Sequence, residues 1–482
     1  MKSFAEYLAS TQEIGTVQEL KSSIVLVNGL PGVKLFELVL FDSGDRGQVI
    51  GLLESGVEVL LFDRNALEIG SQVVRTGERL TIGVGPGLLG KRIDPLGRHK
   101  LSDPILGELE DRAIDTRPGG IFTRAAIVDP LETGVTTVDL IVPLAKGQRQ
   151  LVIGDRKTGK TLFLLQTILH QARQGVICIY AVIGKTQLEI QQLHKYFQEK
   201  GVVDQIVIVA TGASDPAGLI FLNPYVAMTI AEYFRDQGKE TIVVFDDLTT
   251  HAHFYREITL LARRFPGRSA YPSDIFYTHS RLMERGGNFI TEKGNIPITC
   301  FPVVQSILGD LSAYITTNIM SMTDGHIFFD TELFDQGRRP AVNPFLSVTR
   351  VGRGVQIPLV RDASLQLTSY LVNFEKIKQY SHFGSEVSQS VRDQLNLGER
   401  IFILLDQTPD EIIPVGLSVY LLALLWNGQW KDQSSDTVKT EIAKYRERFL
   451  KEQPLQQQIA TVLNSVQSFS QLVEKLKGSA QV

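Results

Sequence analysis

The sequence predicts three folded parts in series: an N-terminal antiparallel β-barrel over residues 1–83, a central α/β domain over 84–358 and a C-terminal α-helical bundle over 359–482. Three observations lead there. Short β-rich runs recur about every ten residues near the start. Apolar strand-like and helix-like runs alternate through the middle, and beyond roughly Leu359 the apolar spacing turns helical while β-branched runs thin out. At 482 residues the chain exceeds one typical core, and 43% hydrophobic residues are ample to bury several.

The barrel reading rests on Ile24-Val25-Leu26-Val27, Phe36-Glu37-Leu38-Val39-Leu40 and Val57-Glu58-Val59-Leu60-Leu61, set between Gly, Asp and Asn breaks from about Ser22 to Ile82. Gly83-Val84-Gly85-Pro86-Gly87 ends that rhythm, and Arg117-Pro118-Gly119-Gly120 breaks the chain again. In the middle part Gln150-Leu151-Val152-Ile153 reads as a strand, Leu162 to Arg173 as a helix, then Ile177 to Ile183 and Glu240 to Phe245 as strands. That alternation implies a mostly parallel sheet covered by helices. Near the end, Glu441 to Leu450 and Gln456 to Leu476 read as amphipathic helices.

Composition narrows the function. A net charge of −4 gives no basic bias, so nucleic acid is not the expected partner. Cys178 and Cys300 lie far apart without metal or redox spacing, which fits a reducing compartment. The start, Met1-Lys2-Ser3-Phe4-Ala5-Glu6, has no secretory or transit character. The most apolar segment, Ile412 to Trp426, contains Pro414 and Gly416 and falls short of the roughly 20 residues a spanning helix needs. Any membrane contact is therefore expected through partner subunits.

The chemistry centres on Gly154-Asp155-Arg156-Lys157-Thr158-Gly159-Lys160-Thr161, between an apolar strand and a helix start. Its glycines permit a tight backbone that turns successive amides onto phosphate oxygens, Lys160 reaches terminal phosphates, and the Thr161 hydroxyl can ligate Mg2+. ATP or ADP is the expected ligand. Glu240 to Asp247 forms an apolar strand ending in acids, with Asp246 placed like the magnesium-side acid of such sites. His251 and His253 form a His-x-His, but no third ligand stands at metal spacing. On these motifs alone a self-sufficient ring-shaped RNA translocase with a small barrel remains an alternative, against which the net charge counts. A nucleotide-binding protein with no energetic role is a second.

The motifs sit in a longer resemblance, carried by Glu232-Tyr233-Phe234-Arg235-Asp236, Asp246-Asp247-Leu248, and Arg263-Arg264-Phe265-Pro266-Gly267-Arg268-Ser269-Ala270-Tyr271-Pro272. His279-Ser280-Arg281-Leu282, Gly309-Asp310-Leu311-Ser312-Ala313-Tyr314-Ile315 and Ser347-Val348-Thr349-Arg350-Val351-Gly352 continue it in order. The chain resembles the α subunits of F-type (rotary) ATP synthases over nearly its whole length. The resemblance implies a RecA-like central domain and a ring of alternating α and β subunits, α3β3, around a central shaft. It also implies a non-catalytic nucleotide pocket in this chain, and Arg350 as an arginine finger acting in the neighbouring β pocket. It places the subunit peripherally, on the cytoplasmic face of a bacterial plasma membrane or the stromal face if plastid-encoded, coupling ATP synthesis or hydrolysis to proton or sodium ion transport.

Departures from the family pattern carry expectations of their own. Where β subunits have the Glu that activates water and α subunits have Gln, this chain has Lys185, which cannot act as a general base; a solvated loop cation is the bland alternative. Lys157 replaces the usual Gln in the loop and adds positive charge near the phosphates. Of the family's Gln-Gly-Gln segment near the adenine only Gln407 is kept, so it is the one expected base contact and nucleotide preference is left open. The extension ahead of the barrel, which docks the peripheral stator in the family, is shorter than usual and implies altered stator attachment. In that altered attachment the chain resembles the divergent F-type ATPases that some bacteria carry beside a standard enzyme.

Overall fold

The computed structural model describes residues 2–63, 67–99, 107–381 and 388–477. An N-terminal barrel, a central nucleotide-binding domain and a C-terminal helical domain follow one another along the chain. By packing, the described chain forms two compact units that cut across that order. One comprises 1–125, 175–305 and 311–322; the other comprises 126–174, 306–310 and 323–482.

In the first unit, six antiparallel strands close into a barrel in the order Ile14–Lys21, Ile24–Asn28, Gly56–Leu61, Arg46–Leu53, Glu37–Phe41, Gln72–Arg79, the last pairing back to the first. Alternate side chains fill it: Val17, Val25, Val27, Val39, Phe41, Val49, Val59 and Val73 form one buried cluster. Its first strand, Ile14–Lys21, starts ahead of the expected Ser22. Only Gly15 and Val17 are buried, Glu19 and Lys21 are half-buried and Ile14, Thr16, Gln18 and Leu20 are exposed, so the strand lacks the apolar run that marked the others. Ahead of it, helix Phe4–Thr11 is closed by a capping box of Ser3 and Glu6, and its Tyr7 packs on Leu40 and Val74.

The same unit holds five parallel strands in the order Gly294–Gln305, Thr241–Asp246, Ile177–Lys185, Ile206–Gly212, Arg92–Ile93. Each of the three middle strands is nearly all buried, as strands covered on both faces must be. Helix Ala217–Asp236 packs on them, and Gly287–Thr291 adds an antiparallel hairpin to Gly294–Gln305.

In the second unit Gln150–Gly154 runs parallel to Gly325–Phe329, which pairs antiparallel with Val348–Thr349. The helices Pro358–Ser381, Gln389–Leu405, Val415–Trp426, Ser435–Lys451, Gln453–Asn464 and Phe469–Lys477 follow. Val415–Trp426, apolar on all sides, is the buried core helix of the bundle, with Leu417, Val419, Leu421, Leu422 and Leu425 inside. The helix expected over Gln456 to Leu476 is two helices. The Ser468 hydroxyl accepts a hydrogen bond from the Gln471 amide and starts a new one, as N-cap serines do. No helix among the described residues is long and apolar enough to cross a membrane.

Candidate functional site

In the second unit the strand Gln150–Gly154 runs into a tight turn, and helix Lys160–Arg173 starts at once, the strand-turn-helix that the octapeptide spacing demands. Two glycines are required by geometry. A Cβ on Gly154 would stand 2.4 Å from the Phe329 carbonyl oxygen, and Gly159, at φ +100°, holds a left-handed conformation at the helix N-cap. Thr158 is buried and its hydroxyl donates to the Asp155 carbonyl at 2.8 Å. The Lys160 ammonium donates to the carbonyl oxygens of Gly154, at 2.8 Å, and Asp155, which folds it over the loop. Arg156, Lys157 and Thr161 face solvent, and among the described residues the Thr161 hydroxyl has no hydrogen-bond partner. Three cations thus stand around a helix N-terminus, an arrangement that favours anions, and the Thr161 hydroxyl beside them is open.

Asp155 has a separate task. Its carboxylate accepts from the Ser306 hydroxyl at 2.6 Å, the Gly309 amide at 3.1 Å and the Thr331 hydroxyl at 3.0 Å. Partial burial works against its charge, but these hydrogen bonds, with Lys160 nearby, override it and hold the carboxyl below its ordinary range. The loop is thereby tied to segment 306–310 and to Thr331.

Arg350 follows the short strand Val348–Thr349. Its amide donates to the Asp324 carbonyl at 3.0 Å, and Arg149 grips the Asp324 carboxylate from below through two nitrogens at 3.0 and 2.8 Å. The backbone under Arg350 is thus fixed. Its guanidinium is exposed, makes one long 3.5 Å contact to the Thr323 carbonyl, and pairs with no carboxylate among the described residues.

In the first unit the acids lie at the end of strand Thr241–Asp246 beside strand Ile177–Lys185, in a register that sets Val182 against Asp246. Lys185, three residues further on, reaches back. Its ammonium stands 2.9 Å from Asp246 Oδ1 and 2.9 Å from Asp247 Oδ2. Tyr180 donates to Asp246 Oδ2 at 3.0 Å; Gln305 Nε2 and the Thr250 amide donate to Asp247 at 2.5 and 2.7 Å. Burial by itself would lower the Lys185 pKa, but the two carboxylates outweigh it and raise it above the ordinary lysine value. Burial raises the Asp247 carboxyl, and Lys185 and Thr250 bring it below the ordinary value. Both are charged at neutral pH. The solvated loop cation is thereby excluded, since the Lys185 side chain is only 20% exposed.

Residues 134–349 match the ATP synthase alpha/beta family, nucleotide-binding domain, and 356–481 match the ATP synthase alpha/beta chain, C terminal domain. ATP synthase subunit alpha of Sulfurovum sp. (strain NBC37-1) is 42% identical over 432 residues, which cover 88% of this chain and 85% of that protein. The chain belongs to the α-subunit family of F-type ATP synthases. As a family member it is a nucleotide-binding subunit of the α/β hetero-oligomeric head of an ATP synthase.

Gln407, the expected base contact, is buried in this ATP synthase subunit. It is 6% exposed. Its amide oxygen accepts from the Thr136 amide at 3.0 Å, and its nitrogen donates to the carbonyls of Gly134 at 2.7 Å and Glu411 at 2.5 Å. With oxygen and nitrogen both bonded to backbone, it staples segment 134–136 to the 408–411 turn. His251 and His253 also part company: His251 is fully buried with its Nδ1 3.1 Å from His279 Nε2, while His253 is exposed and stacks on Tyr271. Sequence reasoning missed Tyr180, Gln305 and the Asp155 ties, because each partner is distant along the chain and carries no motif.

Thr161, in the second unit, offers an open hydroxyl of the kind magnesium takes; in the first unit both Asp246 oxygens already have partners, and one of them is a cation.

Proposed function

We propose that this chain is the non-catalytic α subunit of a rotary ATP synthase head. It holds ATP or ADP on Gly154 to Thr161 and completes the neighbouring β subunit's active site with Arg350. Magnesium enters with the phosphates at Thr161. Asp246, the acid expected on the metal side, is already paired with Lys185.

The observation that carries the non-catalytic reading is Lys185. At the place where a water-activating carboxylate belongs, this chain has an ammonium fixed to two aspartates, with no lone pair to accept a proton. An intact loop without a base binds and does not turn over. Arg350 supports the second half of the reading: a planar cation on fixed backbone, exposed and paired with no carboxylate among the described residues, suits the charge that spreads over a transferring phosphoryl group. In the assembled enzyme, alternating α and β subunits surround a central shaft and hold to a peripheral stator. Membrane contact is made by partner subunits on the cytoplasmic face, or the stromal face in a plastid, and ion transport is coupled through them.

The test is to give the purified chain ATP with and without a β partner. Alone, it is expected to bind ATP and release no phosphate above background, with activity appearing only on co-assembly. Steady turnover by the lone chain contradicts the non-catalytic assignment.

A further inference from the structure

The Asp246–Asp247 pair poses an electrostatic problem that this chain solves internally. Two adjacent carboxylates, 8% and 0% exposed, are costly to keep ionised without a nearby cation. In a nucleotide site that cation would be a divalent ion with its water shell. Here Lys185 fills the position. Strand register brings its ammonium between the two carboxylates at 2.9 Å from each, and hydrogen bonds from Tyr180, Gln305 and Thr250 meet the remaining acceptor positions. A divalent ion approaching Asp246 would have to displace Lys185 or Tyr180, and would meet a positive charge that burial shields little from it.

We propose that Lys185 is a built-in cation for the Asp246–Asp247 pair, so that the pair takes no divalent ion. Lys185 is a positioning residue in this scheme: it sets the charge and direction of the two carboxylates. The pair keeps a net charge of −1, where the family's Gln at this position would leave −2.

One measurement on the full chain tests this. Mn2+ titration of the nucleotide-free protein, followed by electron paramagnetic resonance, is expected to show the same number of bound ions in the wild type and in Asp246→Asn. Lys185→Gln is expected to gain one ion, which Lys185→Gln/Asp246→Asn loses again. A wild-type ion that disappears with Asp246→Asn overturns the proposal, as does a folded Lys185→Gln that gains none; if Lys185→Gln does not fold, the comparison of wild type with Asp246→Asn decides.

Discussion

His251 and His279 touch ring to ring with neither exposed to solvent, and the His251 Nε2 lies 3.1 Å from the Phe221 carbonyl. Burial drives the His251 pKa down to about 4 and that of His279 well below its ordinary value. The unfolded chain therefore takes up protons first as the medium is acidified, so stability falls as pH drops from the ordinary histidine value near 6.5 toward 4. The His251 term alone amounts to about 3 kcal/mol over that range. Thermal unfolding of His251→Gln between pH 7 and 4.5 is expected to show a shallower slope than wild type; an unchanged slope would mean the pair is not what titrates. At this scale the sequence made some features legible and hid others. The strand-turn-helix at Gly154 to Thr161 is legible because its residues are contiguous in sequence, whereas the role expected of Arg350 rests on the family resemblance. The His-His contact was not legible, because spacing suggested His251 with His253, whereas residues two apart on a helix point to different sides. Lys185 was readable as an absent base, but its grip on two aspartates follows from strand register.

Among elements, helices Pro358–Ser381 and Gln389–Leu405 approach closely at Gly398, where an added Cβ would lie 2.0 Å from the Phe374 ring. Phe374 is itself buried, so the ring has little room to yield. Gly398→Ala gains helix propensity of about 1 kcal/mol but forces this contact apart, and a net destabilisation of about 1–2 kcal/mol is expected in denaturant unfolding. A stabilised variant would show that the helices can separate without loss. Elements announced by their own pattern were found where the sequence put them, including the strands around Gln150–Gly154 and Thr241–Asp246. The two that departed were decided elsewhere. Ile14–Lys21 is a strand because the barrel needs a partner on both of its edges, and the tail breaks at Ser468 because a cap outcompetes a continuous helix.

For the whole molecule, linear reading divides the chain at composition changes, while packing groups the loop segment 126–174 with the C-terminal helices. That grouping arises from contacts between residues far apart in sequence, which no local pattern encodes. It places the phosphate loop, its Asp155 ties and Arg350 in one compact unit. The family assignment gives the subunit its place in an ATP synthase; the claim that this chain contributes to catalysis only through Arg350 is the one that most needs a direct measurement. That measurement is ATP hydrolysis by the complex reconstituted with its β partner and carrying Arg350→Ala, with nucleotide content of the complex determined in parallel. Loss of the finger is expected to lower turnover by about three orders of magnitude or more, with bound nucleotide and assembly unchanged. Wild-type turnover in the intact Arg350→Ala complex would contradict it.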